Sequence, residues 1–443
     1  MMSTVKLINH ASAKVRIDDV SIISDPWYDG SVFHKGWKLL HELTVEETKD
    51  HLQNTDYIYV SHEHPDHFSP SFFFNKEYKS LILENKTQIL FQETKDKRVL
   101  KFLKKNNYDV IEVPNNKFIN LKNNVRAKII KFGYVDSALI LEGSKERILN
   151  LNDCPLNNLE EIKKFRKDHG KFDLLLTQFS YAAWKGNEDN KDFRRSAAQE
   201  KLNTIENQFK ILECKKVVPF ASFIYFSNKL NSFMNDEINK PHVFQKSLSK
   251  KIDSVILAPG EEQIISQLKQ SEHSLNFWKK KYEDINKYPL ETFDNSVDLR
   301  TLQNEYIKYK QKILEINSKA IISISSKIKF FKFFQPINIF LYDHKKNYEF
   351  SLINGFNLTE NNSSDISMHS ESLAFIFKND FGYDTLTVNG CFEASKNGFI
   401  KATRSFAIGS LNSMGLKLNY KLIFNYNLIL FFLKLLRKVS KKL

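Results

Sequence analysis

Ser61-His62-Glu63-His64-Pro65-Asp66-His67 places four potential metal ligands, His62, His64, Asp66 and His67, within six residues. Directly upstream runs Asp56-Tyr57-Ile58-Tyr59-Val60, a β-branched and aromatic segment with the composition of a short buried strand. A strand ending in such a cluster holds imidazoles and a carboxylate in fixed geometry at its C-terminal lip. Imidazole nitrogen and carboxylate oxygen without thiolate suit Zn²⁺ or iron, not a cysteine-type structural site. Histidine makes up only 12 of 443 residues, so three of them in this one stretch argue against chance.

Working outward, residues 4–24 alternate as short strands with Asn9-His10-Ala11-Ser12 in the first turn, and they end at Asp25-Pro26-Trp27. A loop over 28–37 and a helix over 38–53 lead to the motif strand. Further strands are expected at 85–92 and 108–113, with a basic helix over 94–106 between them. Strands at 126–132, 137–141 and 147–152 follow, the last delivering Asp153. Leu174-Leu175-Leu176 leads into Thr177-Gln178-Phe179-Ser180; a charged helix over 192–213, a strand at 217–220 and a strand-then-turn at 254–260 complete the series. Strands alternating with helices, with polar residues at the strand ends, indicate a layered α/β or α+β domain over 1–265.

Residues 266–318 read as a helical connector. Leu299, Leu302, Tyr306, Tyr309 and Ile313 form a 3-4-3-4 apolar stripe, with Ser296 as the expected N-cap. A smaller, β-rich α+β domain is expected over 319–420, with strands at 320–325, 337–342, 348–353, 385–392 and 404–408 and a helix over 370–378. The tail over 421–443 is apolar and then basic. Its apolar run, 422–436, falls short of the roughly 20 residues of a transmembrane helix. The same pattern suits peripheral contact with an anionic membrane through 422–443, or a terminal helix docked on the domain.

Hydrophobic residues at 42% and charged residues at 27% describe a globular protein. The formal charge of +14 favours anionic partners: phosphorylated or carboxylated small molecules, nucleic acid or a membrane surface. An anionic small molecule is the expected substrate, and no specific nucleic-acid partner is expected. Cys154, Cys214 and Cys391 are too few and too far apart for a disulfide framework or a thiolate zinc site. Residues 1–14 lack a signal-peptide core, which points to a cytoplasmic protein, membrane-peripheral if the tail docks.

The H-x-H-x-D-H pattern resembles the signature of the metallo-β-lactamase superfamily. That resemblance implies an αββα sandwich, α+β in class, with two divalent metal ions, zinc or iron, at its edge. It assigns His62 and His64 to one ion, Asp66 and His67 to the other, and the bridging carboxylate to Asp153 in Leu151-Asn152-Asp153-Cys154. Asn9-His10-Ala11-Ser12 and Ser24-Asp25-Pro26-Trp27 are similar to the ascorbate-phosphate lactonase-like branch. The longer run through Gly30, Phe33, Gly36-Trp37, Leu39-Leu40-His41-Glu42, Tyr59-Val60-Ser61-His62, Asn152-Asp153-Cys154 and Pro219-Phe220-Ala221 resembles the lactamase-like part of the CMP-N-acetylneuraminate hydroxylase family, over about residues 5–265. That family also carries a Rieske iron–sulfur domain, whose Cys-x-His and Cys-x-x-His pairs do not occur in this sequence. An oxygenase reading therefore implies a separate redox partner.

The superfamily supplies one more histidine before the bridging aspartate and another late in the domain. No histidine lies between His67 and Asp153, so Asp136 is the expected oxygen ligand in its place. Ser227-Asn228 stands where the late histidine is expected, with His242 nearby. An oxygen-richer donor set shifts preference toward Fe²⁺ or Mn²⁺. Asp25 is expected to accept a hydrogen bond from a ligating imidazole. His10, His34 and His41 are expected to support ligands from behind or to touch substrate, and Tyr181 and Trp184 to stack on a sugar or base. Cys154 reads as a small buried residue. The implied activity is a metal-dependent hydrolase of sugar metabolism, using a metal-activated water with Asp66 as the catalytic carboxylate on an acidic or nucleotide sugar. The alternatives are a di-iron hydroxylase-like enzyme fed by a separate electron donor, and a non-catalytic binding protein on a degenerate site.

Overall fold

The computed structural model describes residues 2–328 and 333–419. The chain divides into two compact units, Met1–Glu291 and Thr292–Leu443.

The first unit is built on two sheets. Strands β1 (Thr4–Asn9), β2 (Ser12–Ile17), β3 (Val20–Ser24), β4 (Trp37–Leu39), β5 (Tyr57–Val60), β6 (Gln88–Gln92) and β7 (Asp109–Val113) open the chain. β8 (Phe118–Asn120), β9 (Arg126–Phe132), β10 (Asp136–Glu142), β11 (Arg147–Asn152), β12 (Leu174–Gln178), β13 (Lys216–Phe220), β14 (Ile224–Phe226) and β15 (Glu262–Ile264) follow. The first sheet has the order β15-β1-β2-β3-β5-β6-β7 and the second β13-β12-β11-β10-β9-β8. β3, β5, β6 and β7 run parallel, as do β11, β12 and β13. Parallel strands covered on both faces read as continuous apolar runs, which is why YIYV in β5 is buried at every position.

Ile58, Val60, Ile89 and Phe91 point outward from the first sheet. They pack with Leu52, Tyr78, Ile82, Val99 and Leu103 from the helices Val45–Leu52, Lys76–Glu84 and Arg98–Lys105. The opposite face meets the second sheet, where Val15 and Ile22 face Leu139, Leu141 and Leu176. Tyr59 crosses the same layer and donates its hydroxyl to the Ser137 carbonyl at 2.8 Å. The helices Leu159–His169 and Lys191–Ile211 cover the far side of the second sheet through Ile162, Phe165 and Ile205. The layers are αββα.

Several local expectations change. Over 38–53, Trp37–Leu39 is a strand paired with Ile224–Phe226, and the helix begins only at Val45, where Thr44 and Glu47 form a reciprocal capping box. Residues 254–260 are not a strand beyond one bridge to Val217. Their backbone groups bond to side chains instead: Gln270 takes both polar groups of Ile256, and Ser274 Oγ accepts from the Ala258 N–H at 3.1 Å. The helix Glu272–Glu283 seals this stretch, with Trp278 stacked flat on Phe223 at 3.8 Å between ring centroids. The first unit therefore runs to residue 291, and the stretch expected as a connector over 266–318 is shared between the two units.

The second unit carries a five-stranded sheet, β16 (Ile337–Leu341), β17 (Lys346–Ser351), β18 (Gly355–Leu358), β19 (Ile366–Met368) and β20 (Phe392–Ala394), in the order β18-β17-β16-β19-β20. The helix Leu299–Ile316 buries Leu302, Tyr306, Tyr309 and Ile313, four of the five residues of the stripe read from the sequence, while Leu299 is half-buried, and Asp298, not Ser296, caps it. Ser370–Lys378 is helical as expected. The strands expected at 320–325, 385–392 and 404–408 are corrected: the helices Lys319–Lys327, Gly382–Asn389 and Lys396–Phe406 stand there. Ser318 and Ser395 cap two of them and a left-handed Gly390 ends the third, so capping outweighs the β-branched content. Within the last of these, a Cβ on Gly398 would lie 1.8 Å from the Asp365 carbonyl, a close approach open only to glycine. The tail over 422–443 lies outside the described residues. Among those described, no helix is long and apolar enough to cross a membrane.

Candidate metal centre

The strand ends of both sheets converge on one cluster. His10 comes from the β1–β2 turn, Asp25 from the end of β3 and His62 to His67 from the end of β5. Asp136 opens β10, and Asp153 follows β11. Three of the backbone turns that deliver these groups are left-handed at non-glycine residues: His10 (φ 34°), Asp25 (φ 39°) and Asn152 (φ 41°). Such conformations cost of order 1–3 kcal/mol each and persist where surrounding structure imposes them.

Donor atoms lie within 4.8 Å of one another in three overlapping groups: His10, Asp66 and His67; His62, His67 and Asp153; His62, His64 and Asp136. His62 Nε2 is 2.8 Å from His64 Nδ1, 3.9 Å from an Asp136 oxygen and 4.0 Å from an Asp153 oxygen. His67 Nε2 is 3.2 Å from Asp66 Oδ2 and 3.5 Å from Asp153 Oδ2. His10 Nε2 is 3.3 Å from the same Asp66 oxygen. His10 thus stands among the donor atoms and not behind them. It gives the Asp66–His67 pair an extra imidazole in a chain with no histidine between His67 and Asp153.

The buried atoms fit a cation. Asp66 Oδ1 and Asp153 Oδ1 are buried without a hydrogen-bond partner, an arrangement that is costly unless a ligand satisfies it. The donor set is nitrogen and oxygen only, the kind that zinc and iron accept.

Electrostatics point the same way. Burial works against a charged His67 ring, but the Asp66, Asp153 and Asp25 carboxylates outweigh it and hold its pKa well above 6.5. Burial, with His67 beside it, pushes His62 well below 6.5 and so keeps its nitrogen lone pairs available. For Asp66 and Asp153, burial is overridden by the neighbouring imidazoles, and both carboxyls lie below the usual range. Burial and the Asp153 charge raise Asp136 to about 7.

A second layer fixes these groups. Asp25 Oδ2 accepts from Ser61 Oγ at 2.8 Å and lies 3.0 Å from His67 Nδ1, while Asp25 Oδ1 takes the Ser61 N–H at 2.7 Å. Ser137 Oγ donates to the Ser61 carbonyl at 2.5 Å, and Gln92 Nε2 donates to it at 3.1 Å. Ser61, Ser137 and Gln92 had no chemical signal in the sequence. Only their places beside strand ends mark them.

The remaining residues separate. The loop between β3 and β4 reaches the motif through Phe33, whose ring centroid is 6.0 Å from that of His64. His34, half-buried on that loop, and His41 contribute no atom to the donor groups; His41 packs its ring edge on Phe277 at 5.4 Å. Asn228 and Asn231 brace the loop by donating to the carbonyls of Lys35 and Gly36. His242 lies on the helix Pro241–Leu248, near Tyr282. Tyr181 is buried, with its hydroxyl on the Met234 carbonyl, so its ring packs internally and does not offer a stacking face. Trp184 is half-buried on the loop after β12. Burial raises the Cys154 thiol well above its ordinary pKa and leaves it inert.

No family model matches the chain. Over 261 residues it is 25% identical to the cytidine monophosphate-N-acetylneuraminic acid hydroxylase of Danio rerio, covering 54% of this chain and 41% of that protein. Over 273 residues it is 23% identical to the inactive cytidine monophosphate-N-acetylneuraminic acid hydroxylase of Homo sapiens, covering 58% and 52%. The chain spans about half the length of the curated relatives it matches. Among solved structures, a possible metal-dependent hydrolase from Veillonella parvula overlaps 60% of this chain and 100% of its own at 13% identity, with a TM-score of 0.44. The first unit is an αββα sandwich with a buried His/Asp cluster at its strand ends, and it is similar to the cytidine monophosphate-N-acetylneuraminic acid hydroxylases.

Proposed function

We propose that the first unit is a metal-dependent hydrolase of a small anionic substrate. The observation that carries this reading is the set of three overlapping donor groups, with buried donor atoms that no protein group satisfies. His62, His64 and Asp136 would hold one divalent ion, and His10, Asp66 and His67 the other, with Asp153 between them. Bound there, a pair of divalent ions supplies a nucleophilic water at neutral pH and polarises the scissile group.

The chain's own residues do the rest. Asp25 and Ser61 fix the His67 ring from behind. The Tyr59–Ser137 bond locks the two sheets at the depth of the cluster. Asp66, fully inside, keeps one carboxylate oxygen on His10 and His67, and its other oxygen is buried without a hydrogen-bond partner. That second oxygen would orient a nucleophile. The net charge of +14 favours an acidic sugar, nucleotide sugar or similar anion.

A second reading is a di-iron hydroxylase-like centre fed by a separate electron donor. Two observations favour it: the curated relatives are named hydroxylases, and the donor set is rich in carboxylate. The relative named inactive keeps a third reading in view, a binding protein on the same scaffold.

The test is acid release from a panel of sugar lactones, sugar esters and nucleotide sugars, compared between wild type and Asp66→Asn. The hydrolase reading expects turnover of at least one anionic member, with kcat reduced at least about a hundredfold by the substitution. Turnover that is equal in the two proteins contradicts it.

A further inference from the structure

The strand ends that carry Asp153 and His67 are joined by a path of buried hydrogen bonds. Asn152 ends β11, where the pairing with β12 skips one residue between Asn150 and Asn152, a bulge of the kind that re-aims a strand end. Its backbone is left-handed, at φ 41°. Glycine takes that conformation freely, whereas asparagine adds a side chain, and here both ends of it are engaged. Asn152 Oδ1 accepts from the Asp153 N–H at 2.7 Å, and Nδ2 donates to the Ser137 carbonyl at 3.0 Å.

Ser137 carries the connection to the other sheet. Its Oγ donates to the Ser61 carbonyl at 2.5 Å. Ser61 in turn donates its N–H and its Oγ to the two oxygens of Asp25, at 2.7 and 2.8 Å, and Asp25 Oδ2 lies 3.0 Å from His67 Nδ1. The opposite nitrogen of that ring, Nε2, faces Asp153 Oδ2 at 3.5 Å. The path leaves Asp153 through its backbone and returns to its carboxylate, so the Nε2–Oδ2 distance is fixed by the bonds around it. Asn152, Ser137, Ser61, Asp25 and His67 are all buried. Water does not compete for these bonds, and each link holds the next in place.

We propose that Asn152 and Ser137 are positioning residues: together they set the distance between Asp153 Oδ2 and His67 Nε2, and with it the spacing at which the cluster takes two divalent ions. The ion spacing rests on the metal-centre reading above, whereas the linkage of the two strand ends does not. Both residues act at one remove, Asn152 through the Asp153 backbone and Ser137 through Ser61 and Asp25. Groups that orient metal ligands without touching the ion typically account for about 10- to 100-fold in affinity.

The test compares full-length wild type with N152G and S137A, prepared free of metal, by hydrogen exchange and then by Zn²⁺ titration against a chromophoric chelator. S137A keeps the carbonyl that serves Asn152 and Tyr59, and Gln92 still serves the Ser61 carbonyl, so it strands none of these groups. Each variant is read at the far strand end. N152G is expected to speed amide exchange about fivefold over residues 59–63, and S137A to do so over 150–154, where the bonds of Asn152 itself remain. Each is expected to weaken the binding of one Zn²⁺ about tenfold. Melting of metal-free N152G should stay near wild type, because glycine relieves the left-handed backbone. Should N152G fold poorly, S137A carries the test. Exchange that quickens only beside the substitution overturns the proposal, as does Zn²⁺ affinity equal to wild type in both variants of a protein that binds it. A wild type that binds no Zn²⁺, with each substitution still felt at the far strand end, upholds the linkage while the metal-centre reading falls.

Discussion

His67 Nδ1 stands 3.0 Å from Asp25 Oδ2, and Ser61 Oγ bonds the same oxygen at 2.8 Å, so the ring that points Nε2 into the cluster is held from behind by a fully buried carboxylate. Carboxylates placed behind ligating imidazoles typically account for about 10- to 100-fold in metal affinity. Asp25→Asn is expected to lose affinity in that range, measured by competition with a chromophoric chelator. Unchanged affinity would mean that His67 needs no orienting partner.

Acid sensitivity follows from two histidines outside the centre. Burial, together with Lys6 and Lys14, lowers His51 to about 4, and burial with Lys128 lowers His169 to about 4. In both cases the folded pKa lies below the unfolded value of 6.5. The stabilising contribution is complete above pH 6.5 and is lost as pH falls toward about 4, because the unfolded chain takes up the protons first. Both rings are only half-buried, which leaves about 1 kcal/mol each after solvent screening. His51→Gln is expected to flatten the fall of Tm across this window; a variant profile parallel to wild type contradicts the assignment.

Trp278 ties residues 266–291 to the first unit by stacking on Phe223 at 8° between ring planes and donating Nε1 to the Leu257 carbonyl at 2.8 Å. Trp278→Ala is expected to cost about 3–5 kcal/mol, read from denaturant midpoints. A chain ending at residue 265 should be destabilised at least as much relative to one ending at residue 291. Equal stability of the two chains would return the boundary to 265.

Tyr59→Phe removes the hydroxyl that joins the two sheets through the Ser137 carbonyl. The expected loss is about 1–2 kcal/mol at constant denaturant m-value, since one buried hydrogen bond goes and the packing stays. A stability loss within error of zero would place the inter-sheet register in the apolar contacts alone.

The first unit was legible in the sequence because the signals were local. YIYV is apolar throughout and ends in four ligand-type residues, and strands at 126–132, 147–152 and 217–220 announced themselves in the same way. The second unit was less legible, since IISIS and TLTVN look like strands until their caps and tertiary contacts are known. In the centre, the contiguous motif and Asp153 could be read directly. The position of His10 among the donors depends on a β1–β2 turn folding back onto Asp66, a contact 56 residues apart in the chain.

The most direct test of the account is the metal content of the purified full-length protein after growth with both zinc and iron supplied, compared with His62→Ala and Asp153→Asn. The account predicts close to two divalent ions per wild-type chain, with loss of at least one ion and a lower Tm in each variant. Two zinc ions favour the hydrolase, and two iron ions with a redox-active absorption band favour the hydroxylase-like reading. No metal above background, together with unchanged melting of both variants, would contradict the metal centre itself.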